Sequence, residues 1–140
     1  MRPRYAVRPY AAGDAAKLQL VGQPLLERAY WPSDEPPSSQ SAVTLTRDGS
    51  PIGVGGLVGI DERTAYAWSW LMPLRRSEWG VVLGFVRQAM RGLALSETGE
   101  PIRLQASAGS APAERLLRKL GFLRISDPDA DGYTLFEWSI

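Results

Sequence analysis

Three strand-like segments joined by short turns occupy residues 43–71, and this run constrains the fold more than any other feature. The first segment, residues 43–47, ends at Asp48 and Gly49, a dipeptide typical of hairpin turns. The second, residues 51–60, is rich in glycine, and the third, residues 64–71, alternates aromatic with small side chains. Short turns join antiparallel neighbours, whereas parallel strands need a long crossover. The sequence therefore predicts an antiparallel meander.

The segment before the meander predicts a strand, two short helices and a loop. Residues 5–8 alternate and then meet a proline, as an edge strand does. Residues 14–29 carry apolar side chains at helical spacing, and Gly22 and Pro24 interrupt that pattern. Residues 33–41 are rich in proline and serine, which favours an irregular connection.

The segment after the meander predicts two helices and the remaining strands. Pro73 ends the third strand, and an amphipathic helix is expected from Ser77 onward. The remaining predicted elements are a strand at 102–106, a helix at 112–120 and strands at 122–125 and 133–140. The order is β-α-α-β-β-β-α-β-α-β-β. It predicts one α/β (α+β) domain over residues 1–140, with a mixed, mostly antiparallel sheet of about seven strands flanked by helices.

The sequence contains no cysteine and no histidine. This excludes disulfides, thiol nucleophiles, Ser-His-Asp triads and zinc sites built from these residues, and we expect no bound metal. The formal net charge is +1 and no basic run is present, which argues against a nucleic-acid partner. No window approaches the ~20 apolar residues of a membrane span, and the N-terminal residues lack a secretory signal. We therefore expect a cytoplasmic protein without a membrane partner.

Residues 110–122 carry the most specific motif of the chain. They resemble the Asn-x-x-Ala-x-x-x-Tyr-x-Lys-x-Gly-Phe segment of the GNAT (general-control-related N-acetyltransferase) superfamily, with Ser110 in place of the asparagine and Leu117 in place of the tyrosine. The matching residues are Ala113, Lys119, Gly121 and Phe122. Because the element order also fits, the resemblance covers nearly the whole chain. The Gly-Gly pair at 55–56 and the Trp-x-Trp-Leu strand further resemble short, degenerate bacteriophage members.

The resemblance implies a site for acetyl-CoA or CoA between the fourth and fifth strands. In the family these strands diverge, and an Arg/Gln-x-x-Gly-x-Gly/Ala loop presents backbone N–H groups of a helix start to the pyrophosphate. This loop is degenerate here in either register. Counted from Arg75, Gly80 fits the last position but Glu78 replaces the first glycine. Counted from Arg76, Trp79 and Val81 replace both small residues. Glu78 would oppose the phosphates, and Arg75 and Arg76 could offset its charge. The residues predicted to bind the cofactor are Leu71, Met72, Arg75, Arg76, Ser77, Glu78, Trp79, Gly80 and Ser110.

The catalytic residues cannot be assigned from the sequence. The resemblance implies a tyrosine acid on the last helix, where this chain has Leu117, and a carboxylate base near the fourth strand, which has none. Glu62 precedes that strand in a turn, where a solvated surface role is favoured. The catalytic residues are therefore unknown, although positioning of an amine beside a thioester can still accelerate transfer.

The aromatic side chains of the fourth strand could either form sheet core or line an acceptor pocket. Tyr66, Trp68 and Trp70 share one face, and such a stripe more often forms sheet core under a helix than it lines an acceptor pocket. Trp79 is harder to explain as core, because the resemblance places it at the mouth of the cofactor cleft.

Two functions remain open at this point. The first is an acetyl-CoA-dependent N-acetyltransferase with incomplete catalytic equipment, acting on a small amine or a protein amine. The second is an inactive GNAT-fold module that binds and modulates another protein, a host protein if the chain is phage-encoded. The complete element order favours the first function, whereas the degenerate loop and the missing tyrosine favour the second.

Overall fold

The computed structural model describes residues 2–21, 24, 42–93 and 103–138. The described strands are β1 (Tyr5–Pro9), β2 (Ala42–Arg47), β3 (Ser50–Gly59), β4 (Thr64–Leu71), β5 (Arg103–Ala108), β6 (Leu123–Arg124) and β7 (Thr134–Trp138). The described α-helices are α1 (Trp79–Leu93) and α2 (Ala111–Leu120). The described residues also include 3-10 turns at Ala15–Lys17 and Arg76–Glu78.

The strands form one sheet in the order β1-β2-β3-β4-β5-β7-β6. All neighbours pair antiparallel except β4 and β5, which are parallel. The predicted meander is β2-β3-β4, and Asp48 and Gly49 make its first turn with positive φ angles of 51° and 83°. The predicted mixed, mostly antiparallel sheet of seven strands is confirmed.

The first predicted helix is shorter than the apolar spacing indicates. Ala15–Lys17 form a single 3-10 turn, and Leu18 already has extended backbone angles (φ −75°, ψ 133°). Asp14, which precedes this turn, makes no side-chain capping hydrogen bond, and its carboxylate is bound by other groups. The second predicted helix, the loop at 33–41 and the ends of two predicted strands, at 102 and 139–140, lie outside the described residues.

Asp14 anchors the N-terminal segment to the sheet. Its carboxylate accepts two hydrogen bonds from the Arg8 guanidinium, at 2.7 and 2.9 Å, and one from the Thr44 hydroxyl at 2.7 Å. The Ala11 N–H donates a fourth at 2.8 Å. Arg8 above all holds the pKa of Asp14 far below its usual range. These contacts join β1, β2 and the turn at 15–17.

The two faces of the sheet are covered by different parts of the chain. Alternate residues of β4 and β5, such as Ala65 and Leu104, pack against α1 and α2 in the largest core cluster. We call this the helix face. The opposite face carries Trp70, which is 2% exposed and packs with Ala15 and Leu18. We call this the tryptophan face. Among the described residues, no helix is long and apolar enough to cross a bilayer.

Candidate functional site

A gap opens between the parallel strands β4 and β5. They pair at Thr64 with Arg103, Ala65 with Leu104 and Tyr66 with Gln105, and no further pair joins them in the described part of the chain. Both strands nevertheless continue, β4 to Leu71 and β5 to Ala108. The predicted divergence at their C-terminal ends is therefore confirmed.

The edges that border this gap carry main-chain polar groups without a partner in the β4–β5 ladder. The other edge of β4 is bound to β3 from Ala65 through Leu71, so only the edge that faces β5 is open. Exposed or ligand-bound N–H and C=O groups are satisfied, whereas orphaned buried ones are costly. The gap therefore suits an occupant that offers its own hydrogen-bonding groups.

The connection from β4 to α1 lies at the open end of the gap. Leu71 ends β4, and the Met72 N–H donates to the Ile52 carbonyl at 3.1 Å, so the chain stays attached to β3 before it turns. The 3-10 turn Arg76–Glu78 then leads directly into α1 at Trp79. The exposed residues of this connection are Pro73, Arg75, Arg76 and Ser77, and Gly80 in the first turn of α1 is exposed as well.

Neither a close contact nor the backbone conformation requires a glycine at position 80. A Cβ atom at this position would meet no heavy atom within 4 Å, and no positive φ is found there. Gly84, one turn further along α1, is equally free. A methyl group at either position would therefore project into open space.

The side chain of Glu78 reaches β1 and β2 and is only 7% exposed. Its carboxylate accepts hydrogen bonds from the Tyr5 hydroxyl at 2.7 Å, from Arg47 Nη1 at 2.7 Å and from the Arg75 N–H at 3.0 Å. The hydrogen bonds from Tyr5 and then Arg47 lower the pKa of Glu78 to about 2. The same contact with the Glu78 carboxylate raises the pKa of Tyr5.

The partner of Glu78 differs from the sequence expectation. Arg75 and Arg76 were expected to offset this charge, but the guanidinium that pairs with it is that of Arg47 on β2. Sequence reasoning missed Arg47 and Tyr5 because both are distant from Glu78 along the chain. The alternation of β1 and β2 was the only available signal, and it does not identify a partner on another element.

Three further residues that the sequence analysis named, two in or beside α2 and one at the start of α1, have structural contacts of their own. The Ser110 hydroxyl accepts the Ala113 N–H at 3.3 Å and so caps α2. Leu117 is half-buried against the helix-face core. Trp79 is also half-buried and packs against that core, so the structure supplies the packing explanation that the sequence lacked.

The aromatic stripe of β4 lies on the tryptophan face. Trp70 is core, as the favoured interpretation predicted, although the segment around Ala15 covers it and α1 and α2 lie on the other side. Trp68 packs beside Trp70 with ring centroids 5.7 Å apart. Its indole Nε1 is buried and has no hydrogen-bond partner in the described part of the chain.

A carboxylate that the sequence did not single out lies two strands from Tyr66. Glu137 on β7 pairs in register with Gln105, whose amide Nε2 donates to Glu137 Oε2 at 3.3 Å. Glu62, in contrast, is exposed in the turn before β4, as expected for a solvated residue. Pairing of β5 with β7 is non-local, which is why sequence reasoning did not find Glu137.

Comparisons with known proteins identify the fold. No protein-family model matches the sequence, and no curated protein matches it either. Among solved structures, the GNAT domain of S. lividans PAT has a TM-score of 0.66 at 13% identity, covering 96% of this chain and 89% of that one. The Salmonella typhimurium protein yncA, solved with its cofactor acetyl-CoA, has a TM-score of 0.63 at 14% identity, with coverages of 96% and 93%.

A more distant likeness is a mutant of SpeG spermidine N-acetyltransferase from Vibrio cholerae. Its TM-score is 0.56 at 13% identity, covering 70% of this chain and 63% of that one. These likenesses and the diverging β4 and β5 show that the chain has the GNAT acetyltransferase fold.

Proposed function

We propose that the chain binds a CoA thioester in the gap between β4 and β5 and transfers its acetyl group slowly to an amine. The observation that carries this proposal is the divergence of the two strands after Tyr66 and Gln105. The pantetheine arm of CoA contains amide groups, and amides match the open main-chain edge of β4 in hydrogen-bonding type.

The start of α1 supports a phosphate site at the end of that gap. Backbone N–H groups in a first helical turn have no intrahelical acceptor, and the helix dipole favours an anion there. The exposed Arg75 and Arg76 add positive charge. The side chain of Glu78 is buried and paired with Arg47, so its charge opposes the phosphates less than the sequence alone indicated.

The proposed cofactor contacts are those expected from the sequence. Leu71 and Met72 lie where β4 ends, and Glu78 would contribute its backbone and not its side chain. The full set is Leu71, Met72, Arg75, Arg76, Ser77, Glu78, Trp79, Gly80 and Ser110. We infer no metal requirement, since direct transfer from a thioester to an amine needs none.

The proposed transfer is slow because its proton donor is missing. The neutral amine nitrogen bonds to the acetyl carbonyl carbon and the carbon–sulfur bond breaks. The nitrogen then releases one proton to solvent, and the thiolate takes up one proton from solvent. Leu117 stands where the resemblance places a tyrosine acid, and an alkyl side chain donates no proton. Binding beside the thioester then supplies most of the rate enhancement.

A second candidate function is an inactive module that binds another protein. The packing of Leu117 into the helix-face core favours it, because this position serves stability as it stands. The bacteriophage type of the chain and its cytoplasmic location remain predictions from the sequence, and a host-protein partner depends on the first of them.

Two glycines of α1 test the proposed phosphate site as a matched pair. Gly80→Ala places a methyl group where the pyrophosphate would approach, whereas Gly84→Ala places one a turn further along the helix. Alanine should stabilise the helix by up to about 1 kcal/mol at either position. We expect calorimetry to show CoA binding weakened about tenfold or more in Gly80→Ala, and unchanged in Gly84→Ala.

The outcomes separate the two functions. Equal CoA affinity in wild type and both variants would show that the phosphates bind elsewhere. Absence of CoA binding to the folded wild type would reject the acetyltransferase and leave the protein-binding module as the better account.

A further inference from the structure

Polar side chains cross the tryptophan face in a row beside the gap. Tyr66 on β4, Gln105 on β5 and Glu137 on β7 are register neighbours, so their side chains project from the same face of the sheet. All three are half-buried. Adjacent strands lie about 4.8 Å apart, so the row spans roughly 10 Å from Tyr66 to Glu137.

Glu137 is the charged end of this row. Within the described ranges, the one hydrogen-bond donor to Glu137 is the Gln105 amide at 3.3 Å, and no arginine or lysine pairs with it. The other inward-turned carboxylates, those of Asp14 and Glu78, each hold a guanidinium. A carboxylate that is partly removed from water favours a cationic partner, and Glu137 has none among the described residues.

Trp68, beside Tyr66 on β4, carries a hydrogen-bond donor without a partner among the described residues. It is the next residue of β4 on this face after Tyr66, and it lies beyond the last pair of β4 with β5. Its Nε1–H is the one buried side-chain polar atom without a partner in the part of the chain that the structure describes. Buried polar groups are nearly always hydrogen-bonded, so an orphaned donor marks a place for an acceptor atom.

We propose that this face binds a small organic amine that also carries a hydrogen-bond-accepting oxygen. The ammonium group contacts the Glu137 carboxylate, the oxygen accepts from the Trp68 indole N–H, and the rings of Tyr66 and Trp68 cover the apolar body between them. The role of this amine as the acetyl acceptor rests on the proposed function, but its binding does not.

The test uses β-alaninamide, which carries both an ammonium group and an amide oxygen. Propylamine lacks the oxygen and propanamide lacks the cation. Binding is followed by the indole N–H signal of Trp68 in a nitrogen-15 NMR spectrum, and this signal is assigned by its loss in Trp68→Phe. We expect a saturable shift with β-alaninamide at up to about 10 mM, and clearly weaker binding of each control compound.

Glu137→Gln keeps the shape of the side chain and removes its charge. It should weaken β-alaninamide about tenfold, because a charge-assisted hydrogen bond becomes a neutral one. Glu62→Gln makes the same change in an exposed turn and should leave the affinity unchanged. The folded state of each variant is checked by its thermal midpoint.

Two results would overturn the proposal: no saturable shift of the Trp68 signal in the folded wild type, or equal affinity in Glu137→Gln. Acetyl-CoA is titrated into the same sample as a separate arm. Amine binding without CoA binding would reject the proposed transferase and keep this site, whereas CoA binding without amine binding would reject this site alone.

Discussion

Gly121 joins α2 to β6 through a left-handed backbone angle. Its φ is 98°, and its N–H donates to the Arg118 carbonyl at 3.1 Å. The Phe122 N–H donates to the Leu117 carbonyl at 3.0 Å, as in a Schellman-type helix end. This turn brings Phe122, which is 2% exposed, back into the helix-face core.

A β-branched residue at Gly121 should weaken the fold. We expect Gly121→Val to reduce the free energy of unfolding by about 1 kcal/mol or more, because such residues resist positive φ. The new Cβ would also lie 3.4 Å from the Trp138 ring. Gly121→Asn tolerates the left-handed region better and should cost less. Urea unfolding measures both, and an unchanged midpoint in Gly121→Val would contradict this helix end.

Glu78 should make stability depend on pH in the acidic range. Its pKa in the folded state is about 2, below the ordinary value of 4.5. The ionised carboxylate therefore contributes its full stabilisation above the unfolded pKa, and this contribution is lost as pH falls toward the folded pKa. We expect urea unfolding between about pH 5 and about pH 2 to show a steeper loss for wild type than for Glu78→Gln.

Asp14 gives a pH dependence of the same sign and remains in both proteins. The difference between the two slopes therefore belongs to Glu78. Tyr5→Phe removes one hydrogen bond from that carboxylate and should give an intermediate slope. Identical slopes in wild type and Glu78→Gln would show that the contacts with Tyr5 and Arg47 do not form in solution.

At the scale of elements, α2 packs against the core with the residue that stands where the resemblance expects a catalytic acid. Its Leu117 faces the core, although the resemblance places the leaving-group acid at this position. Leu116 on the same helix is also half-buried against that core. The two leucines therefore form a matched pair for separating chemistry from packing.

We expect Leu117→Tyr to raise acetyl transfer and Leu116→Tyr to leave it unchanged. A general acid typically contributes about 10²–10⁴-fold, so even partial placement of the phenol should be measurable as thiol release. Either tyrosine risks overpacking by about 1–3 kcal/mol, so folding is checked by thermal unfolding. Acetyl-CoA affinity should not tighten in Leu117→Tyr, because the gained interaction belongs to the transition state.

The turnover of the wild type can contradict the account of a missing proton donor. Turnover of about 10 s⁻¹, which is ordinary for enzymes, would show that its proton donor is not missing. If neither the wild type nor a folded Leu117→Tyr transfers acetyl to any of a broad panel of amines, the protein-binding module is favoured.

At the scale of the whole molecule, local patterns were readable from the sequence and distant contacts were not. The meander followed from the turn at Asp48 and Gly49, and the end of α2 followed from Gly121, because neighbouring residues determine both. The resemblance supplied the parallel pairing of β4 with β5. The row that reaches Glu137 needed the register of three strands, which periodicity does not specify.

The candidate site likewise has features that the local sequence predicts and features that depend on distant contacts. The loop from Leu71 to Gly80 could be located, since it follows a strand and begins a helix. The burial of Glu78 could not, because its partners Tyr5 and Arg47 come from β1 and β2. The contacts of the Asp14 carboxylate with Arg8 and Thr44 could not be predicted for the same reason, since these partners also come from β1 and β2.

The central claim is that the gap between β4 and β5 is a site for a CoA thioester. A ligand that binds only the folded state stabilises it by about 2.7 kcal/mol at a hundredfold excess over its Kd. For a domain of this size that corresponds to a rise in Tm of roughly 5–10 °C. The most direct measurement is the thermal midpoint of the wild type during an acetyl-CoA titration, with ATP as the control for nonspecific anion binding. The account predicts a saturable rise with acetyl-CoA that exceeds the rise with ATP, and an unchanged midpoint at millimolar acetyl-CoA would contradict it.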